Sequence, residues 1–210
     1  MAAVSSKQSD PEKAAVAENT EEPDVPDQAQ ETGEPDQGRP RRLLALVFGI
    51  AVVALGLDLA SKIAVVANLE GEPPVELLGG LVYFDVLRNP GAAFSLATGM
   101  TWLLALLAIV VVGVIIWLSR KLRSTGWAIG LGLVLGGACG NLVDRLFRAP
   151  GPLQGHVVDF ISVLAPGGRY YPVFNLADSA IVCGGILVVL LSLLGRDYDG
   201  TVHRRKRAKS

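Results

Sequence analysis

The chain has 210 residues, half of them apolar, and a formal net charge of −1. With two cysteines and two histidines, none at metal-type spacing, neither a metal site nor a cofactor is expected. The near-zero net charge conceals a segregation of charge along the chain, and that segregation organises the reading.

Residues 1–38 carry ten acidic side chains, two lysines and no aromatic. Such a segment cannot bury enough apolar area to offset chain entropy, and it reads as a disordered acidic tail. After "RPRR" four long apolar stretches follow, at about 43–66, 100–118, 126–147 and 174–194. Each reaches the roughly 20 residues that span a hydrocarbon core. The first is too long for a signal peptide and no small-x-small cleavage site follows it, so it reads as a retained span. Arg39, Arg41, Arg42, Arg120, Lys121, Arg123, Arg196, Arg204, Arg205, Lys206, Arg207 and Lys209 fall on one side, and Arg88, Arg148 and Arg169 on the other. That bias places both termini in the cytoplasm of a multi-pass protein. Trp102, Trp117 and Trp127 lie near span ends, as an aromatic belt requires. The domain reading is therefore a tail over 1–38, a four-span core over 39–196 and a basic tail over 197–210. The basic tail suits anionic lipid better than nucleic acid. Cys139 and Cys183 read as small packing residues inside spans.

Polar residues are costly inside a bilayer and mark function or pairing. Asp58 and Lys62 lie toward the outer end of the first stretch, Asn141, Asp144 and Arg145 in the last two turns of the third, and Asn175 and Asp178 in the first two turns of the fourth. All three groups thus reach one leaflet. Asp58 and Lys62 are spaced i, i+4 and can form an ion pair that stitches the bundle. In the third stretch Gly132, Gly136, Gly140 and Asp144 share one face, and Gly137, Asn141 and Arg145 another. The glycines make a small-xxx-small surface for a neighbouring helix. Asp144 and Arg145 are expected to face protein and to close this span against its neighbours through a pair or network.

The loops on that side are structured by their sequence. "VELLGGLVYFDVLRN" is two β-rich runs around Gly-Gly, a hairpin pattern ending at Asn89. "NPGAAFS" follows, small and apolar enough to lie on the membrane surface. In "GHVVDFISVLAPGGRYYP", Asp159 interrupts a short apolar run, so its carboxyl is expected to be desolvated and raised in pKa. Asp159 and Asp178 can meet across the turn between them. Two such carboxylates sharing one proton satisfy the requirement for aspartyl proteolysis, with Asn175 orienting Asp178. A small ion-coupled transporter uses buried carboxylates equally well, although no inverted-repeat similarity links the two halves. A Ser/Lys protease built on Lys62 with Ser61 or Ser95 is disfavoured, because adjacent helical residues diverge. A passive scaffold leaves the buried charges unexplained.

Five blocks together resemble bacterial lipoprotein signal peptidase, signal peptidase II: "DLASK" (58–62), "NPGAAF" (89–94), "GGACGNLVDR" (136–145), "VVDFI" (157–161) and "FNLADSAI" (174–181). They occur in family order and cover residues 43–195. The resemblance implies an intramembrane aspartyl endopeptidase that cleaves signal peptides from diacylglyceryl-modified prolipoproteins in the bacterial cytoplasmic membrane. By motif, Asp159 and Asp178 are the catalytic dyad, and Asn89, Asn141, Asp144, Arg145, Asn175, Asp58 and Lys62 are supporting or substrate-binding residues. The implied fold is an all-α membrane protein of four transmembrane helices with a small extracytoplasmic β-hairpin or cradle and a surface loop helix. Membrane lipids are expected neighbours and a monomer the expected state, without nucleic acid, metal or cofactor. The acidic extension and the long stretch "LFRAPGPLQG" depart from the family pattern without disturbing a motif.

Overall fold

The computed structural model describes residues 38–91 and 101–203, so the acidic extension, the "NPGAAFS" segment beyond Gly91 with its expected loop helix, and the basic tail from Arg204 lie outside the described residues. Four helices carry the fold: α1 Gly38–Leu69, α2 Thr101–Ser119, α3 Thr125–Phe147 and α4 Leu176–Leu193. Each contains a window apolar and long enough to cross a membrane. α2 to α4 match the apolar stretches within two residues at each end, but α1 outruns the expected 43–66 at both ends. "ANL" after Val66 is less apolar yet still helix-compatible, and the first breaker is Gly71. At 1.5 Å per residue α1 is roughly 48 Å long, well beyond a hydrocarbon core of about 30 Å.

α3 is the centre of the bundle. In its apolar window 56% of residues are buried, against 22%, 17% and 11% in α1, α2 and α4. Its glycines explain this. A methyl group at Gly136 would lie 2.7 Å from both Ala51 O and Ala54 Cβ of α1, and Gly132 meets Val47 and Ile50 in the same way. Gly130 and Gly137 instead face α4, against Val188 and against Ala177 and Ile181. The two glycine faces read from the sequence thus serve two different neighbours. Lipid is as apolar as the helix surfaces, so this close backbone approach is a main source of cohesion. Gly137→Val should lower the melting temperature in detergent, corresponding to about 1–3 kcal/mol of overpacking. Gly113→Ala is the matched control, because its added methyl meets nothing within 4 Å.

Between α1 and α2 the chain forms β1 Val75–Leu77 and β2 Val82–Asn89, the expected hairpin, with Val75 opposite Phe84 and Leu77 opposite Val82. A third strand, β3 Val157–Val163, pairs antiparallel with β2 and makes the sheet β1-β2-β3. The apolar run around Asp159 is therefore a strand. The sheet sits on the end of α1: Val65, Val158 and Phe160 form a buried cluster with Leu69, Phe84 and Val86 packed against it. Phe84 and Phe160 meet edge to face at 5.8 Å.

Loops close both ends. The stretch after α3 folds back on its last turn, with Gly155 N–H donating to Arg145 O at 3.1 Å and His156 N–H to Ala149 O at 3.0 Å. At the opposite end Trp127 Nε1 donates to Arg196 O at 2.7 Å, and Arg123 N–H to Tyr198 O at 2.8 Å. Trp102 and Trp117 remain exposed at their helix ends, while Trp127 serves as a tie between α3 and the chain after α4. Cys139 packs beside the helical core, whereas Cys183 is exposed and is not the packing residue expected.

Candidate active site

Asp159 is placed by β3, where it lies opposite Leu87, and Asn89 is two residues along on β2. Asp178 is placed by the first turn of α4. There Asn175 is the N-cap: its Oδ1 accepts from Asp178 N–H at 2.9 Å, and Asp178 Oδ2 accepts from Asn175 N–H at 3.3 Å. This reciprocal capping box holds the Asp178 carboxylate at the positive end of the helix dipole.

Three asparagines fix the two carboxyl groups. Asn89 Nδ2 donates to Asp159 Oδ2 at 2.8 Å, Asn175 Nδ2 to Asp159 Oδ1 at 2.6 Å, and Asn141 Nδ2 to Asp178 Oδ1 at 2.7 Å. Each amide is held in that sense by a donor on its own oxygen. Gly91 N–H bonds Asn89 Oδ1 at 3.0 Å, Lys62 Nζ bonds Asn141 Oδ1 at 3.1 Å, and Asp178 N–H bonds Asn175 Oδ1. None of the three amides can flip without setting donor against donor. Asn175 touches both carboxyl groups and is fully buried.

Asn89, Asn141, Arg145, Asp159 and Asp178 line one cavity of about 300 Å³, walled by Leu104, Tyr171, Pro172 and Phe174. A separate groove between α1, α3 and α4, about 490 Å³, has no ionisable residue in its lining. The candidate acid–base pair, Asp159 and Asp178, therefore belongs to the first. Burial pushes the Asp159 carboxyl up to about 7; the Asp178 charge adds to this, while the Asn89 and Asn175 amides and the Lys62 charge oppose it. A carboxyl raised in the fold binds its proton more tightly there than in the unfolded chain. Its contribution to stability is full below its ordinary value near 4 and is lost as pH rises through about 7. Melting temperatures in detergent from pH 4 to 8 should therefore fall more steeply for the wild type than for Asp159→Asn. Parallel curves would contradict the shift.

Behind the cavity lies a buried charge network. Lys62, with no exposed surface, sits 2.8 Å from Asp58 Oδ2, 2.9 Å from Asp144 Oδ2 and 3.1 Å from Asn141 Oδ1. Two carboxylates and one amide oxygen thus surround a single ammonium. Asp58 Oδ1 accepts from Ala177 N–H at 2.9 Å, so α1 supplies a second cap for α4. Asp144 also pairs with Arg148 and accepts from Val158 N–H at 3.2 Å. The expected Asp58–Lys62 pair is present, but its reach to α3 was not read from the sequence. The expectation that Asp144 and Arg145 act together needs correction. Adjacent residues on a helix diverge: Asp144 turns to Lys62 and Arg148, while Arg145 lines the cavity and donates from Nη1 to Asn141 O at 3.2 Å. Asp58, Lys62 and Asp144 are absent from the cavity lining and can touch no substrate there. Arg148, Tyr171 and Phe174 were missed. The first was counted only as a loop charge, and the other two follow a turn whose path depends on β3.

Comparison with known proteins identifies the family. The family described as signal peptidase (SPase) II matches residues 50–194, a span that holds all nine residues singled out above. A lipoprotein signal peptidase of Rhodococcus jostii is 60% identical over 161 residues, covering 77% of this chain and 78% of that protein. Those of Mycobacterium avium and Streptomyces griseus are 53% and 54% identical, covering 82% and 80% of this chain and 91% and 83% of theirs. A solved structure described as a bacterial membrane enzyme determined by the in meso method at 2.3 Å superposes with a TM-score of 0.61 at 25% identity, covering 78% of this chain and 94% of that one. With more than half of its length inside the family match and its relatives this similar, the chain belongs to the signal peptidase II family of proteases.

Proposed function

We propose that this protein is an aspartyl endopeptidase of the bacterial cytoplasmic membrane that removes signal peptides from lipid-modified prolipoproteins. The observation that carries the reading is the pair Asp159 and Asp178, delivered by a strand and a helix to one cavity and bridged by Asn175. Asp178 removes a proton from water, whose oxygen attacks the scissile carbonyl carbon. Asp159, protonated near neutral pH, donates to the carbonyl oxygen as it gains charge. The tetrahedral intermediate then collapses: the C–N bond breaks, the leaving nitrogen takes the proton held by Asp178, and the hydroxyl formed from the carbonyl oxygen returns its proton to Asp159 as the C=O bond reforms. No metal enters these steps. Membership of a protease family removes the reason for the transporter reading.

The excess of Lys and Arg at the helix ends away from the sheet supports a cytoplasmic position for both termini. The sheet and the cavity then belong at the outer face, where water and a lipidated cysteine at headgroup depth are both available. The test is incubation of the purified protein with a diacylglyceryl-modified prolipoprotein and a gel shift. Absence of a shift with lipidated substrate would sink the proposal. Deletion of residues 1–38, with Arg39, Arg41 and Arg42 retained, should leave the rate of that shift unchanged. The extension carries no motif residue.

A further inference from the structure

A cavity of about 510 Å³, apart from the one that holds the carboxylates, is lined by Arg88, Phe147, Arg148, Ala149 and His156. Four of these come from the end of α3 and the connection after it, the stretch that departs from the family pattern. The connection returns closely because Gly155 has no side chain: a methyl group there would collide with Asp144 O. The return, with His156 N–H bonded to Ala149 O, sets His156 beside the end of the helix. Arg88 comes from β2. Successive strand residues point to opposite faces, so Arg88 turns to this pocket while Asn89 turns to the other.

What the pocket offers is N–H donors. Arg88 gives Nε to Glu70 at 2.7 Å and Nη2 at 2.9 Å, and Arg148 gives Nε to Asp144. Arg88 Nη1 and both Nη nitrogens of Arg148 have no partner among the described residues. Glu70 and Asp144 hold the two arginines from behind and do not line the pocket. With Asp58 and Lys62 counted, the carboxylates and cations of this region cancel: Asp58, Glu70 and Asp144 against Lys62, Arg88 and Arg148. Surroundings of zero net charge suit a ligand with one negative charge and several acceptor oxygens, and receive a dianion poorly. A phosphodiester has that chemistry, and the planar fork of Arg matches it.

The depth of the pocket names the source. α3 has 23 residues, and at 1.5 Å each it is roughly 34 Å long, just over a hydrocarbon core of about 30 Å. Its last residue, Phe147, is 79% exposed and lines the pocket. An aromatic displayed at the end of a span marks the interface, and the layer just beyond the hydrocarbon is where lipid phosphates lie. We propose that this pocket binds the phosphodiester of a phospholipid headgroup, with Arg88 and Arg148 as donors and Phe147 against the glycerol end of the acyl chains. The site does not depend on the proteolytic reading.

The experiment is native mass spectrometry of the full chain in detergent, titrated with dioleoylphosphatidylglycerol, with dioleoylglycerol or with inorganic phosphate. Phosphatidylglycerol should be retained at concentrations where dioleoylglycerol, with the same acyl chains and no phosphate, is lost. Ala149→Glu puts a carboxylate into the pocket from an exposed position without touching either arginine. It should melt like the parent and weaken retention of phosphatidylglycerol about ten-fold, as should Arg88→Gln. Arg169→Gln, outside the pocket, should change nothing. Equal retention of dioleoylglycerol would overturn the proposal, because acyl contacts alone would then hold the lipid. Undiminished binding of phosphatidylglycerol by both Ala149→Glu and Arg88→Gln would overturn it by placing the lipid elsewhere. Displacement of the lipid by millimolar inorganic phosphate would overturn the lipid source and leave a soluble anion as the ligand.

Discussion

Asp159→Asn and Asp178→Asn should each lower turnover on a lipidated prolipoprotein by about a thousand-fold or more, the scale on which a positioned acid or base acts. The two changes remove different parts of one proton transfer, so neither variant retains a substitute. Folding is a weaker effect. Each carboxyl oxygen faces an N–H donor, so the amide nitrogen of an introduced Asn meets one donor and forfeits about 1 kcal/mol. Removal of a desolvated charge offsets part of that loss. Asp159→Asn resembles the protonated acid that the fold already favours near neutral pH, so it should be the better tolerated of the two. Single-turnover gel assays beside melting curves in detergent separate the effects. A variant of either residue with a tenth of normal turnover would remove that residue from the dyad.

Lys62→Met should be the most destabilising single change in the helical core. It leaves Asp58 buried without its cation and Asp144 with Arg148 alone, at a cost of about 3–5 kcal/mol. It also frees Asn141 Oδ1, and with it the orientation of the amide that holds Asp178. Loss of accumulation in the membrane, or a large fall in melting temperature, is the expected result. Asp58→Asn introduced into Lys62→Met should restore part of the loss, because it removes the carboxylate left without a cation. Asp144→Ala alone should cost less than Lys62→Met, since Lys62 keeps Asp58 and Asn141. Wild-type melting of Lys62→Met would show that this network contributes nothing to stability.

The spans were legible because hydropathy depends on composition, which needs no knowledge of contacts. Asp159 and Asp178 stood out because a carboxylate among Val, Phe, Ile and Leu is a local anomaly. The Asp58–Lys62 pair was legible for the same reason: i, i+4 geometry belongs to one helix. What escaped was relational. That Lys62 also reaches Asp144 depends on how α1 rotates against α3. That Asp58 caps α4 depends on a residue 119 positions away. β3 escaped because a short apolar run with one polar interruption has no clear period, and only pairing with β2 makes it a strand. Arg148 looked like one loop charge among three until the loop folded back on α3.

The order in which the chain is made has a consequence for where its chemistry begins. Asp58 and Lys62 leave the ribosome with the first helix, Asn89 with the first sheet strands, and Asn141 and Asp144 with the third helix. A nascent chain that has delivered three helices can already hold its buried ion pairs, and β3 can then find β2 waiting. Asn175 and Asp178 arrive only with α4, after the other seven residues of the site and its network. Prematurely terminated products therefore carry one carboxylate and no bridging amide. On the mechanism proposed above such products cannot cleave, and proteolysis waits for the fourth helix.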